Sequence, residues 1–112
     1  MALDGKLGAG ENRATDTLTI NGSTTSEAQE LGSAAIAAIL IPSGFSGSTV
    51  TIQGSIDNST FKNITSLKAL AVTADEWLTL DPAKTYGFPY IKVVSAASET
   101  SKTLTLAYAK FA

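Results

Sequence analysis

The chain has no histidine and no cysteine among its 112 residues. Lack of histidine removes the side chain that titrates near neutral pH and most often serves as general base or metal ligand. Lack of cysteine removes thiolate nucleophiles, thiolate metal sites and disulfide staples. Charge is scarce as well: charged residues make up 16%, the formal net charge is -2 and the isoelectric point is near 4.9. The eight basic residues form no stripe of the kind that releases counterions from a phosphate backbone, so nucleic acid is not an expected partner. The longest apolar run, Ala34-Ala35-Ile36-Ala37-Ala38-Ile39-Leu40-Ile41, falls far short of the about 20 residues that cross a bilayer. Met1-Ala2-Leu3-Asp4-Gly5-Lys6 lacks the charged start and apolar stretch of a secretory leader, so neither a membrane nor that export route is expected.

What remains is a chain built for burial. Hydrophobic residues reach 44%, enough for one folded domain, and a chain of this size buries roughly two thirds of the surface that its unfolded form exposes. Serine and threonine occupy the positions where other domains carry charge. Threonine suits strands because its branched Cβ packs on a pleated surface while its hydroxyl faces water.

Two alternating segments, Thr49-Val50-Thr51-Ile52-Gln53 and Tyr90-Ile91-Lys92-Val93-Val94-Ser95, flank the turn-rich Gly54-Ser55-Ile56-Asp57-Asn58-Ser59-Thr60-Phe61. Alternation of this kind puts Val50 and Ile52 on one face and Thr49, Thr51 and Gln53 on the other. Further strands are expected over Asp16–Ile20 (closed by an Asn21-Gly22 turn and opening a hairpin), near Gln29-Glu30-Leu31, from Phe61 to Ile64, and over Leu70–Val72, Glu76–Leu80, Phe88–Ser95 and Thr103–Phe111. The run Ala34–Ile41 is ambiguous, since alanine favours helix. Its stop at Pro42-Ser43-Gly44 favours a strand that is apolar on both faces. Tyr86, Phe88 and Tyr90 are expected to share one strand face, and Pro89 to mark an edge or bulge. The last strand presents Leu104, Leu106, Tyr108 and Lys110 on one side and the small, uncharged Thr103, Thr105, Ala107, Ala109 and Phe111 on the other. Short strands at this spacing predict an all-β, single antiparallel β-sandwich over residues 14–112. Residues 1–13, with three glycines and only Leu3 and Leu7 as large apolar anchors, show no periodicity and read as an extended N-terminal arm.

Candidate chemistry is thin, and no enzyme activity is expected. Asp57, Asp75, Glu76 and Asp81 are the carboxylates that glycoside hydrolysis would need in pairs, yet each stands in a turn or at a strand start, as solvated acids do. Asp57 and Asn58 with backbone carbonyls form a candidate loop for a hard cation or a ligand. The plainer reading is an Asx turn satisfied by its own backbone, and no metal or cofactor is expected. Trp77, the sole tryptophan, is placed in the core or at an interface, with stacking on a sugar ring as the alternative. Asn21-Gly22-Ser23, Asn58-Ser59-Thr60 and Asn63-Ile64-Thr65 fit the glycosylation pattern, but such triplets recur by chance in a chain rich in serine and threonine.

The succession Ile41-Pro42-Ser43-Gly44-Phe45-Ser46-Gly47, Val50-Thr51-Ile52-Gln53-Gly54-Ser55-Ile56-Asp57-Asn58-Ser59-Thr60-Phe61 and Tyr90-Ile91-Lys92-Val93-Val94-Ser95 resembles small virion proteins of tailed bacteriophages and covers about half of the chain. That resemblance implies a jelly-roll or discoidin-like sandwich and a noncatalytic role decorating or cementing the capsid surface of the virion. It implies the major capsid protein as partner and a small homo-oligomer, dimer or trimer. Leu3, Lys6 and Leu7 of the arm are then the candidate capsid contacts. The alternative is a receptor- or carbohydrate-binding module of a phage tail or fibre, using Asp57, Asn58 and Trp77.

Overall fold

The computed structural model describes the backbone of residues 13–110 and the side chains of residues 15–109. Ten strands follow in chain order: β1 (Arg13–Ile20), β2 (Ser23–Thr25), β3 (Gln29–Glu30), β4 (Ala34–Leu40), β5 (Thr49–Ser55), β6 (Lys62–Asn63), β7 (Leu70–Ala71), β8 (Trp77–Thr79), β9 (Tyr90–Glu99) and β10 (Lys102–Lys110). They build two antiparallel sheets. One has the order β1-β10-β4-β8; in the other, β9 and β5 are the centre, flanked by the short β2 and β3 on one side and β6 and β7 on the other. The antiparallel β-sandwich expected from the alternation is therefore the fold.

The core lies where the inward residues of both sheets meet. Leu18 and Ile20 of β1, Ile36 and Ile39 of β4, and Leu104, Leu106 and Tyr108 of β10 close against Val50 and Ile52 of β5 and Ile91 and Val93 of β9, all buried. The segments between strands add Leu31, Ile41, Phe45 and, from a short 3-10 turn at Thr65–Leu67, Leu67. Each such side chain contributes about 1.5–3 kcal/mol over an exposed position.

The ambiguous alanine run is β4, the strand between β10 and β8. A register shift opposite Ala107 and Tyr108 makes Ala37 an extra residue, so Ile36 and Ile39 both face the core despite their odd spacing. That bulge blurred the period in the sequence.

Three expectations need correction. Asn21-Gly22 does not open a hairpin: β1 pairs with β10 while β2 pairs with β9, so the turn carries the chain from one sheet to the other. Gly22, at φ 77, donates its N–H to the Glu99 carbonyl at 2.7 Å, and Asn21 Oδ1 accepts the N–H of Ser101 at 3.0 Å. Tyr86, Phe88 and Tyr90 do not share a strand face. A turn over Thr85–Phe88, with Gly87 at φ 101, precedes β9 and leaves Tyr86 half exposed. Phe88 lies against Gly54 instead, where an added Cβ would fall 2.5 Å from the ring. Pro89 marks no edge either: it stands just before β9, a central strand, and its carbonyl accepts the N–H of Leu31 at 2.7 Å.

Candidate functional site

The outward face of the four-stranded sheet is the clearest candidate surface. Alternation fixes it: Ile39, Leu78, Leu106 and Leu18 point to the core, so their neighbours Leu40, Trp77, Thr105 and Thr17 point outward. Pairing aligns these four in one row across the sheet, Thr17 opposite Thr105, Thr105 opposite Leu40 and Leu40 opposite Trp77. The next row is Thr15, Ala107, Ala38 and Thr79. On the other side stand Thr19 and Thr103, whose hydroxyl oxygens are 3.4 Å apart. None of these side chains is charged. Trp77, 51% exposed, ends the row. Strand spacing makes the face about 14 Å wide, and three rows two residues apart make it about 14 Å long. The small and uncharged alternate face of β10 was the sequence signal for it; Leu40 and Thr17 had no such signal, because their alignment exists only in the register.

The outward face of the other sheet is different in character. Lys92 Nζ stands 4.5 Å from the centroid of the Phe61 ring, a cation–π contact. Beside it Gln53 donates to Asn63 Oδ1 at 3.0 Å. Gln53 pairs with both Lys92 and Asn63, so amides, ammonium and ring form one crosswise patch. Within it Gln53 Nε2 and Asn63 Oδ1 satisfy one another, and the Phe61 ring faces the ammonium.

Asp57 and Asn58 occupy the turn after β5. Asp57 Oδ1 accepts the N–H of Thr60 and of Ser59, each at 2.9 Å, and the Ser55 hydroxyl at 2.9 Å. The backbone N–H groups of Thr60 and Ser59, with the Ser55 hydroxyl, hold its carboxyl below the usual aspartate value. Asn58 takes the left-handed region at φ 58, which asparagine tolerates. This is the self-satisfied Asx turn. Asp57 and Asn58 lie in the turn between β5 and β6 of one sheet, and Trp77 opens β8 of the other. Leu3, Lys6 and Leu7 lie outside the described residues. Asp75, Glu76 and Asp81 flank β8, on the other sheet from Asp57. No three carboxylates converge among the described residues.

One buried carboxylate escaped the sequence reading. Glu99, fully buried at the end of β9, accepts the N–H of Ser46 at 2.9 Å, the N–H of Gly47 at 2.8 Å and the Ser95 hydroxyl at 2.7 Å. Burial pushes its carboxyl up, but those three donors and the charge of Lys102 outweigh burial and leave it below the ordinary glutamate value. Through these three donors Glu99 clamps the β4–β5 loop to the end of β9.

A scan for known protein families finds no match, and no curated protein matches the chain. Among solved structures, the chain is similar to the module CBM32-1 of a family 31 glycoside hydrolase from Clostridium perfringens, with a TM-score of 0.53 over 95% of this chain and 82% of that one. The likeness is one of fold. At 16% identity it shows the β-sandwich fold and carries no residue roles across.

Proposed function

We propose that the chain is a noncatalytic docking module of a phage particle that decorates or cements the capsid by binding the major capsid protein. The observation that carries this reading is the uncharged outward row Thr17, Thr105, Leu40 and Trp77. Desolvating such a face costs little, because no ion is taken out of water. Interfaces favour aromatic anchors and deplete charge at their centre, as this row does. The resemblance to small virion proteins supplies the partner.

Size argues for repetition. A face of roughly 200 Å² before side-chain margins is well below the roughly 800 Å² per partner of a standard stable interface. A single copy would bind weakly, whereas copies joined as a dimer or trimer, each engaging a repeated lattice, gain by effective concentration. Virion surface and homo-oligomer are thus parts of one proposal. The test is occupancy on purified particles: Leu40→Asp, which puts a charge into the row, is expected to abolish attachment while the domain stays folded. Unchanged occupancy would refute the assignment of this face.

A second reading is favoured by the fold likeness to a carbohydrate-binding module and by the half-exposed Trp77, since an indole stacks on sugar rings. On that reading the chain is a receptor- or carbohydrate-binding module of a tail or fibre. A glycan array separates the two, because only this reading expects saccharide binding that Trp77→Ala removes.

A further inference from the structure

The edges of the four-stranded sheet are treated differently. Along β1, Asp16 Oδ1 accepts the N–H of Thr17 at 2.9 Å, Glu27 Oε2 accepts the N–H of Thr19 at 3.3 Å, and the Thr19 carbonyl accepts the N–H of Glu27 at 3.4 Å. Such carboxylates occupy groups that an added strand would need. Among the described residues β8 has no comparable cover. Ile41 donates to the Glu76 carbonyl and Leu80 to the Ala37 carbonyl, each at 2.9 Å, so residues 76, 78 and 80 turn their backbone groups toward β4. Antiparallel alternation then turns the N–H and C=O of Trp77 and Thr79 away from β4. Among the described residues no turn or loop bond reaches them from the far side.

We infer that β8 is a docking edge for an extended segment of another protein that carries a cation at each end and an apolar residue beside Trp77. This rests on the docking reading and adds the class of segment that β8 receives. Backbone pairing at Trp77 and Thr79 supplies affinity, as in strand addition to other open edges, and the half-exposed indole gives one side chain of the segment an apolar seat. The ends are set by charge. Asp75 and Glu76 stand before β8 and Asp81 stands after it, all exposed, with Lys84 the one cation in the stretch from 75 to 84. A second copy of the chain fits poorly. Antiparallel pairing about Leu78 would set Asp75 opposite Asp81 of the second copy at both ends, and like charges directly opposite are unfavourable.

Two peptides test this on the full chain, Lys-Thr-Val-Thr-Val-Thr-Lys and the same sequence with glutamate at both ends. Trp77 is the only tryptophan, so its fluorescence reports binding directly. The lysine-ended peptide is expected to shift the emission, to bind at least tenfold more tightly than the glutamate-ended one, and to slow amide exchange at Trp77 and Thr79. Thr79→Pro removes an N–H that faces away from β4, so it is expected to abolish binding with the melting temperature nearly unchanged. Equal binding of both peptides, or unprotected Trp77 and Thr79 amides in the wild-type chain at saturating lysine-ended peptide, would overturn the inference. So would emission that answers to neutral oligosaccharides and to neither peptide. Loss of the peptide interaction with particle attachment intact would sink the edge alone, whereas failure to attach to particles would sink the docking reading.

Discussion

The Glu99 carboxylate holds the backbone N–H of Gly47 at 2.8 Å, across 52 residues of chain. Because the same carboxylate also holds Ser46 and Ser95, the loop that leads into β5 is fastened to the end of β9 by one buried charge. Charge-assisted bonds of this kind contribute about 1.5–3 kcal/mol each, and a buried donor left without an acceptor costs about 1–3 kcal/mol. Glu99→Gln, which keeps the shape but turns one acceptor into a donor, is expected to lower stability by about 2 kcal/mol or more in urea denaturation.

The same group sets an acid response. Its carboxyl lies below the ordinary glutamate value in the folded state, so the unfolded chain binds the proton more readily. The stabilisation is complete above the unfolded value of about 4.3 and is lost as pH falls through the folded one. Stability measured from pH 6 downward is expected to fall more steeply in the wild type than in Glu99→Gln. Parallel profiles would show that the clamp does not titrate as described.

Gly54 and Phe88 make a tight pair, since a Cβ on Gly54 would fall 2.5 Å from the ring. Gly54→Ala is expected to cost about 1–3 kcal/mol through displacement of that ring. In the Phe88→Ala background the same substitution is expected to cost much less, and a double-mutant cycle reads the coupling.

Ala69 adopts φ 49 and Asp75 φ 65. Alanine has no side-chain bond with which to offset the left-handed region, and its N–H donates to Thr51 Oγ1 at 2.9 Å, which holds it there. Ala69→Gly is expected to raise stability by up to about 1 kcal/mol, seen as a higher urea midpoint at unchanged slope. At Asp75 the cause is a bulge: the N–H of Asp75 donates to the Ile41 carbonyl at 2.8 Å, and Ile41 in turn donates to the Glu76 carbonyl at 2.9 Å, so two residues oppose one.

Much of the sandwich was legible because period-two alternation is a local property. Val50 and Ile52, Ile91 and Val93, and Leu104 and Leu106 announce their inward faces without reference to any partner strand. The Asx turn at Asp57 was legible for the same reason, as all its bonds lie within five residues. What escaped depends on distant pairing. Asn21-Gly22 has the chemistry of a hairpin turn, and only the partners of β1 and β2 show that it joins two sheets. Nothing local marks Glu99, because Ser46 and Gly47, which donate to it, arrive from another part of the chain. The row Thr17, Thr105, Leu40 and Trp77 draws on four strands, and one residue of slip in any of them would dissolve it.

The most direct test of docking through the uncharged face is attachment of Trp77→Ala and Leu40→Asp proteins to purified particles, with wild-type protein as reference. Both positions face outward, so both variants are expected to melt within a few degrees of the wild type. The account predicts that Leu40→Asp leaves particles bare and that Trp77→Ala lowers occupancy at least tenfold. Full occupancy by both folded variants would contradict it.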